Sequence, residues 1–81
     1  MKRYRTLDHL YAEKDVEDLS EGIRALREHR DTLMTWAWLT GADAGAKRAY
    51  VADARDANHA VVRLMRLRTR IMYRLIEEDL N

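Results

Sequence analysis

Three residue types in this 81-residue chain could do chemistry: three histidines, fourteen carboxylates and a dense set of arginines. Histidine beside carboxylate is the raw material of metal sites and of general acid–base catalysis. His9, His29 and His59 show no metal-ligand spacing such as HExxH, so no metal site, no catalytic residue and no cofactor are expected. Cysteine is absent, which excludes thiolate nucleophiles, thiolate metal ligands and disulfides. The arginines are the stronger signal. The stretch RLMRLRTRIMYR, residues 63–74, holds five of them, and no acid occurs between Asp56 and Glu77. Guanidinium forms two parallel hydrogen bonds to a carboxylate or a phosphate. The chemistry that this pattern suggests is recognition of an anionic surface.

Such residues need elements to position them, and the composition supplies helices. There is no proline, only three glycines, and 36% of the residues are charged. TGADAG, residues 40–45, holds two of the glycines and divides two long patterned segments, as a helix C-cap followed by an N-cap at Asp43 would. Before it, Val16, Leu19, Ile23, Leu26, Leu33 and Ala37 recur at three- and four-residue spacing, with Arg30 in the missing slot. After it, Tyr50, Ala54, Ala57, Val61, Leu64, Ile71 and Leu75 do the same, with Arg68 in the missing slot. Leu7, Leu10 and Tyr11 fall off the first stripe, which predicts a separate short helix or kinked extension over residues 4–13. The expected architecture is all-α: a first long helix over 16–40, a turn at 41–45 and a second long helix over 46–78, forming one antiparallel hairpin domain.

Met65, Met72, Ile76, Leu67 and Ala60 widen the apolar arc of the second helix to roughly half its circumference. One neighbouring helix does not cover so wide a face, so a homodimer forming a four-helix bundle is expected. If facing residue numbers add to about 87, Val16 meets Ile71 and Ile23 meets Leu64. Arg30 then lies one turn from Asp53, and Arg68 one turn from Asp15. These two pairs are expected as polar layers that fix the register. The rival arrangement is an internal site in which Arg30 and Arg68 clamp an anion.

On a helical wheel Arg63, Arg66, Arg70 and Arg74 gather opposite the apolar arc, with Arg55 and His59 extending the stripe. Net charge is only +1, but it is segregated: residues 15–41 carry three basic and six acidic groups, residues 42–76 eight basic and three acidic. Trp36 and Trp38 near the turn are a second candidate contact, since tryptophan is enriched at binding hot spots. The wheel puts Trp38 near the stripe of the first helix and Trp36 far from it. No apolar run reaches the ~18 residues of a membrane span, and no signal-peptide pattern opens the chain, so a cytoplasmic protein without a membrane role is expected.

Three short patterns resemble known families. Arg24 and His29 in RALREH have the R-x4-H spacing of helical HEPN ribonucleases, without the polar residue that follows the arginine there. WLTG, residues 38–41, is one residue longer than the W-x-G of type VII secreted hairpins, and YRLIE, residues 73–77, fits their Y-x-x-x-D/E pattern. The plan also resembles the plasmid copy-number regulator, a dimer of helical hairpins that binds RNA, in architecture alone. Each departs from its family's pattern, so none fixes a function. The expected function is that of a small non-enzymatic regulator, adaptor or inhibitor, of the kind phages and mobile elements encode, which binds a larger protein, an acidic one by the charge of the stripe. Nucleic-acid binding through the arginine stripe is the second reading. An anion-binding protein or enzyme built on Arg30 and Arg68 is the third.

Overall fold

A computed structural model describes residues 7–39, 41 and 43–80. All of these are helical except Gly41 and Asp43. Helix α1 runs Leu7–Leu39 and helix α2 runs Ala44–Leu80, and the two pack side by side. The hairpin is a rod of 62 × 16 × 14 Å. Its radius of gyration is 18.2 Å, against about 12 Å for a compact domain of this length. No helix among the described residues is long and apolar enough to cross a membrane.

The turn works through Asp43. Its carboxylate accepts from the Ala46 amide at 2.8 Å and its carbonyl from the Lys47 amide at 3.0 Å, the two bonds of an N-cap. A Cβ on Gly45 would lie 3.3 Å from that carboxylate oxygen, so the glycine leaves the cap its room. α1 ends at Leu39, and Gly41 lies between the helices, outside either one. Thr40 and Ala42 lie outside the described residues.

No break separates an N-terminal segment. α1 is one helix from Leu7, and residues 7–13 extend it; residues 4–6 of the expected short helix lie outside the described residues. Leu7, Leu10 and Tyr11 miss the apolar stripe because they are exposed, while His9 and Ala12 carry the seam in their place. The seam therefore follows a seven-residue repeat, through 9, 16, 23, 30 and 37.

The buried apolar residues are Ala12, Ile23, Leu33 and Ala37 from α1 and Ala54, Ala57 and Val61 from α2. Four of the seven are alanines, which lets the backbones approach closely but fills little volume. At Gly22 a Cβ would make an ordinary van der Waals contact with Leu64 Cδ1 at 3.7 Å, so the seam there has room for a small side chain. Val16, Leu19, Leu26, Leu64, Ile71 and Leu75 are only half-buried, each having one neighbouring helix. Cross-helix contacts join His9 to Glu78, Ser20 to Arg68, Arg30 to Asn58 and Trp36 to Tyr50. These four pairs lie within one residue of the register in which facing numbers add to 87, whereas the long side chain of Arg27 reaches Met65 off that register.

Candidate functional site

Arg55, Arg63, Arg66, Arg70 and Arg74 are all exposed, as is His59. Arg63, Arg66, Arg70 and His59 sit on the outer side of α2, where helical periodicity puts them, whereas Arg55 borders α1, lining a groove with Arg30 and Met34. Arg74 is the least free of the five: its Nε lies 3.6 Å from Glu78, one turn on. Two shallow grooves flank the stripe. One is lined by Ala60, Leu64 and Leu67 together with Arg63, Arg66 and Arg70, an open space of about 500 Å³. The other, about 470 Å³, is lined by Val62, Met65 and Thr69 with Arg66 and Arg70. The stripe thus forms a positive ridge between two apolar floors. An acidic belt of Glu17, Asp18, Glu21 and Glu28 lies exposed on α1. Lys14 partly neutralises it, at 3.2 Å from Asp18 and 3.8 Å from Glu17. The hydrogen bond and charge of Asp18, then the charge of Glu17, hold the Lys14 ammonium above its ordinary pKa.

The polar layers differ from the expected pairs. Arg30 donates from Nη1 to Asn58 Oδ1 at 2.7 Å and from Nε to Asp31 Oδ1 at 3.1 Å; Asp53 is exposed and takes no part. Arg68 donates from Nη1 to Ser20 Oγ at 3.1 Å; Asp15 is likewise exposed. Buried Nε of Arg68 makes no hydrogen bond within the hairpin. The reason is angular. Asp53 and Asp15 flank the seam on the solvent side, and short aspartates there do not reach across it, whereas Asn58 and Ser20 flank its other edge. Arg30 works at the level of Asn58, ten residues along α2 from Arg68, which is about 15 Å of helix. One small carboxylate does not span that distance, so the two arginines form separate layers and no common clamp.

The tryptophans are also exchanged relative to the wheel. Trp36 packs edge-on against Tyr50 of α2, with ring centroids 5.9 Å apart at 67°, whereas Trp38 is 85% exposed. A straight-helix wheel drifts by about 20° per seven residues from a seam that follows the heptad repeat. Over the three heptads between Val16 and Trp38 the drift is enough to swap the two assignments.

A cluster at the open end of the hairpin has no counterpart in the sequence expectations. His9 is only 7% exposed, although surrounded by charge. Its Nδ1 lies 3.0 Å from Glu78, and its Nε2 lies 3.3 Å from Glu13 and 4.0 Å from Asp79. It ties the start of α1 to the end of α2. Two signals could have pointed to it: Glu13 one helical turn away, and the place of His9 seven residues before Val16. Its cross-helix partner Glu78 is 69 positions distant and is found only through the hairpin register. His29 and His59 are both exposed.

The rod exposes more area than a compact domain of the same mass. Total accessible area is 6755 Å², and among the described residues no large side chain is fully buried. A compact 9.6 kDa monomer exposes about 5,100 Å². No family model, curated protein or solved structure matches the chain.

Proposed function

We propose that this protein is a small dimeric regulator, adaptor or inhibitor that acts by binding a larger, acidic protein partner. The observation that carries the reading is the union of charge and apolar floor on α2. Arg63, Arg66 and Arg70 rim a groove floored by Leu64 and by Leu67, the latter 46% exposed. An acidic amphipathic helix satisfies both halves of that surface: carboxylates pair with the guanidinium groups while its apolar side chains cover Leu67. A phosphate backbone satisfies only the first half. The acidic belt on α1 further opposes a nucleic acid that wraps the rod. The dimeric reading is supported by a core of mostly small side chains, since a second hairpin would supply further neighbours for the half-buried residues.

The two macromolecular readings separate on Leu67. Affinity capture from the native host is run with and without nuclease, using the wild type, Leu67→Gln, and Arg63→Gln/Arg66→Gln/Arg70→Gln. The proposal expects a stoichiometric protein that survives nuclease and is lost with either variant. Recovery that nuclease abolishes, and that Leu67→Gln leaves unchanged, assigns the stripe to nucleic acid and rejects it.

A further inference from the structure

We infer that two copies of this chain pair through one particular side of the rod, the side bearing Val62, Met65 and Met72, with α1 of each copy lying over α2 of the other. This rests on the dimeric reading above and goes further by naming the face, the orientation and the register.

The face is identified by what it exposes. Arg27 of α1 reaches Met65 of α2 at 3.4 Å, and Met34 shares a groove with Val51, Arg55 and Asn58, so these residues mark a single side of the hairpin. Val62 and Thr69 border Met65 on that same side. Large apolar residues are left open along it, among them Leu10, Met34, Met72 and Ile76, the last 54% exposed. The opposite side of the seam exposes chiefly Trp36 and Leu67. The apolar surface that a second copy would cover is therefore concentrated on the first side.

Orientation follows from two columns of residues at seven-residue spacing. On α1 the column beside Arg27 and Met34 is Leu10, Glu17, Arg24, Asp31 and Trp38. On α2 the matching column is Arg48, Arg55, Val62, Thr69 and Ile76. A twofold axis along the rod sets each α1 column against the partner copy's α2 column at equal height. Leu10 then meets Ile76, Asp31 meets Arg55, and Trp38 meets Arg48. The first is an apolar contact, the second an ion pair and the third a cation–π contact. The two remaining positions set Glu17 on Thr69 and the alkyl stem of Arg24 over Val62, so the column holds no like-charge pair. All neighbouring helices in the resulting bundle run antiparallel, which aligns their dipoles favourably. An end-over-end twofold instead sets α1 against α1 and α2 against α2, and forfeits the Asp31–Arg55 match.

The area is sufficient. One side of the rod is 62 Å long and 16 Å wide, room for the roughly 800 Å² that a standard interface takes from each partner. The groove at Leu67 lies outside the paired face and stays open to another protein.

Sedimentation equilibrium, with helix content followed by circular dichroism, tests the assignment. Asp31→Arg and Arg55→Asp, each present twice in the symmetric dimer, should each weaken self-association by about tenfold or more, because like charges then oppose across the face. The double variant Asp31→Arg/Arg55→Asp should recover most of that loss. Ile76→Glu should weaken association without touching the bond between Asp31 and Arg30, and Leu67→Gln on the other side should leave it unchanged. A wild-type dimer that tolerates Arg55→Asp and Ile76→Glu would overturn the face while leaving dimerisation intact. A wild type that stays monomeric to high micromolar concentration would remove dimerisation itself, and the face with it.

Discussion

Replacing Arg68 by methionine should stabilise this protein. The guanidinium sits in an apolar slot of the seam, holds one neutral partner, Ser20, and leaves its buried Nε without a hydrogen bond. Losing the bond to Ser20 costs about 1.5–3 kcal/mol, the usual range for a bond that involves a charged group. Relief of the unsatisfied Nε returns about 1–3 kcal/mol, which nearly cancels it. Methionine keeps the unbranched stem and adds apolar burial, at roughly 0.8 kcal/mol per methylene covered. The balance favours the variant by about 1 kcal/mol, in line with buried ionic groups replaced by apolar ones of similar volume. For a chain of this size that is a rise in Tm of about 4–8 °C. Arg68→Ala removes the stem as well and should fall below wild type. Thermal unfolding at one fixed protein concentration measures both variants, because association would otherwise shift the midpoint. A loss above ~1 kcal/mol in Arg68→Met would show that the guanidinium has a strong partner that the hairpin alone does not supply, and the reasoning would fail.

Three further outcomes follow from the geometry. Asp43→Ala should lower stability by about 1 kcal/mol through loss of the bond to the Ala46 amide, checked by chemical denaturation; an unchanged midpoint would mean that the cap is dispensable. His9→Ala should fray the open end of the rod, since it removes the bridge to Glu78. Amide exchange should speed up in the first turns of α1 and the last turns of α2, while the middle of each helix is unaffected. Changing Arg63, Arg66, Arg70 and Arg74 together to glutamine should leave the helix content intact. In a fluorescence anisotropy titration, wild type should show no sub-micromolar affinity for generic DNA or RNA at ~150 mM salt. Tight binding whose logarithm falls with log salt at a slope of roughly −3 to −4, and which the quadruple variant loses, would contradict the preferred function.

Much of the hairpin was legible in the sequence for a local reason. Absence of proline, three- and four-residue apolar spacing and Asp43 before a helix-forming run act within a few turns of chain, and they fix two helices and the turn between them. The register also follows from sequence, because two stripes of fixed spacing and one turn length leave a single way to pair Ile23 with Leu64. Exposure of the arginine stripe is likewise a consequence of periodicity. The polar layers were not legible. Whether Arg68 reaches Asp15 or Ser20 depends on which edge of the seam each lies on, an angle of some tens of degrees that a straight-helix wheel loses over several heptads. The same drift exchanged Trp36 with Trp38. His9 looked like one more polar residue in a charged stretch. Only the packing of the first turns of α1 against the last turns of α2 buries it and brings Glu78 to its ring, because a contact between residues 69 apart exists only once the chain has doubled back along its full length.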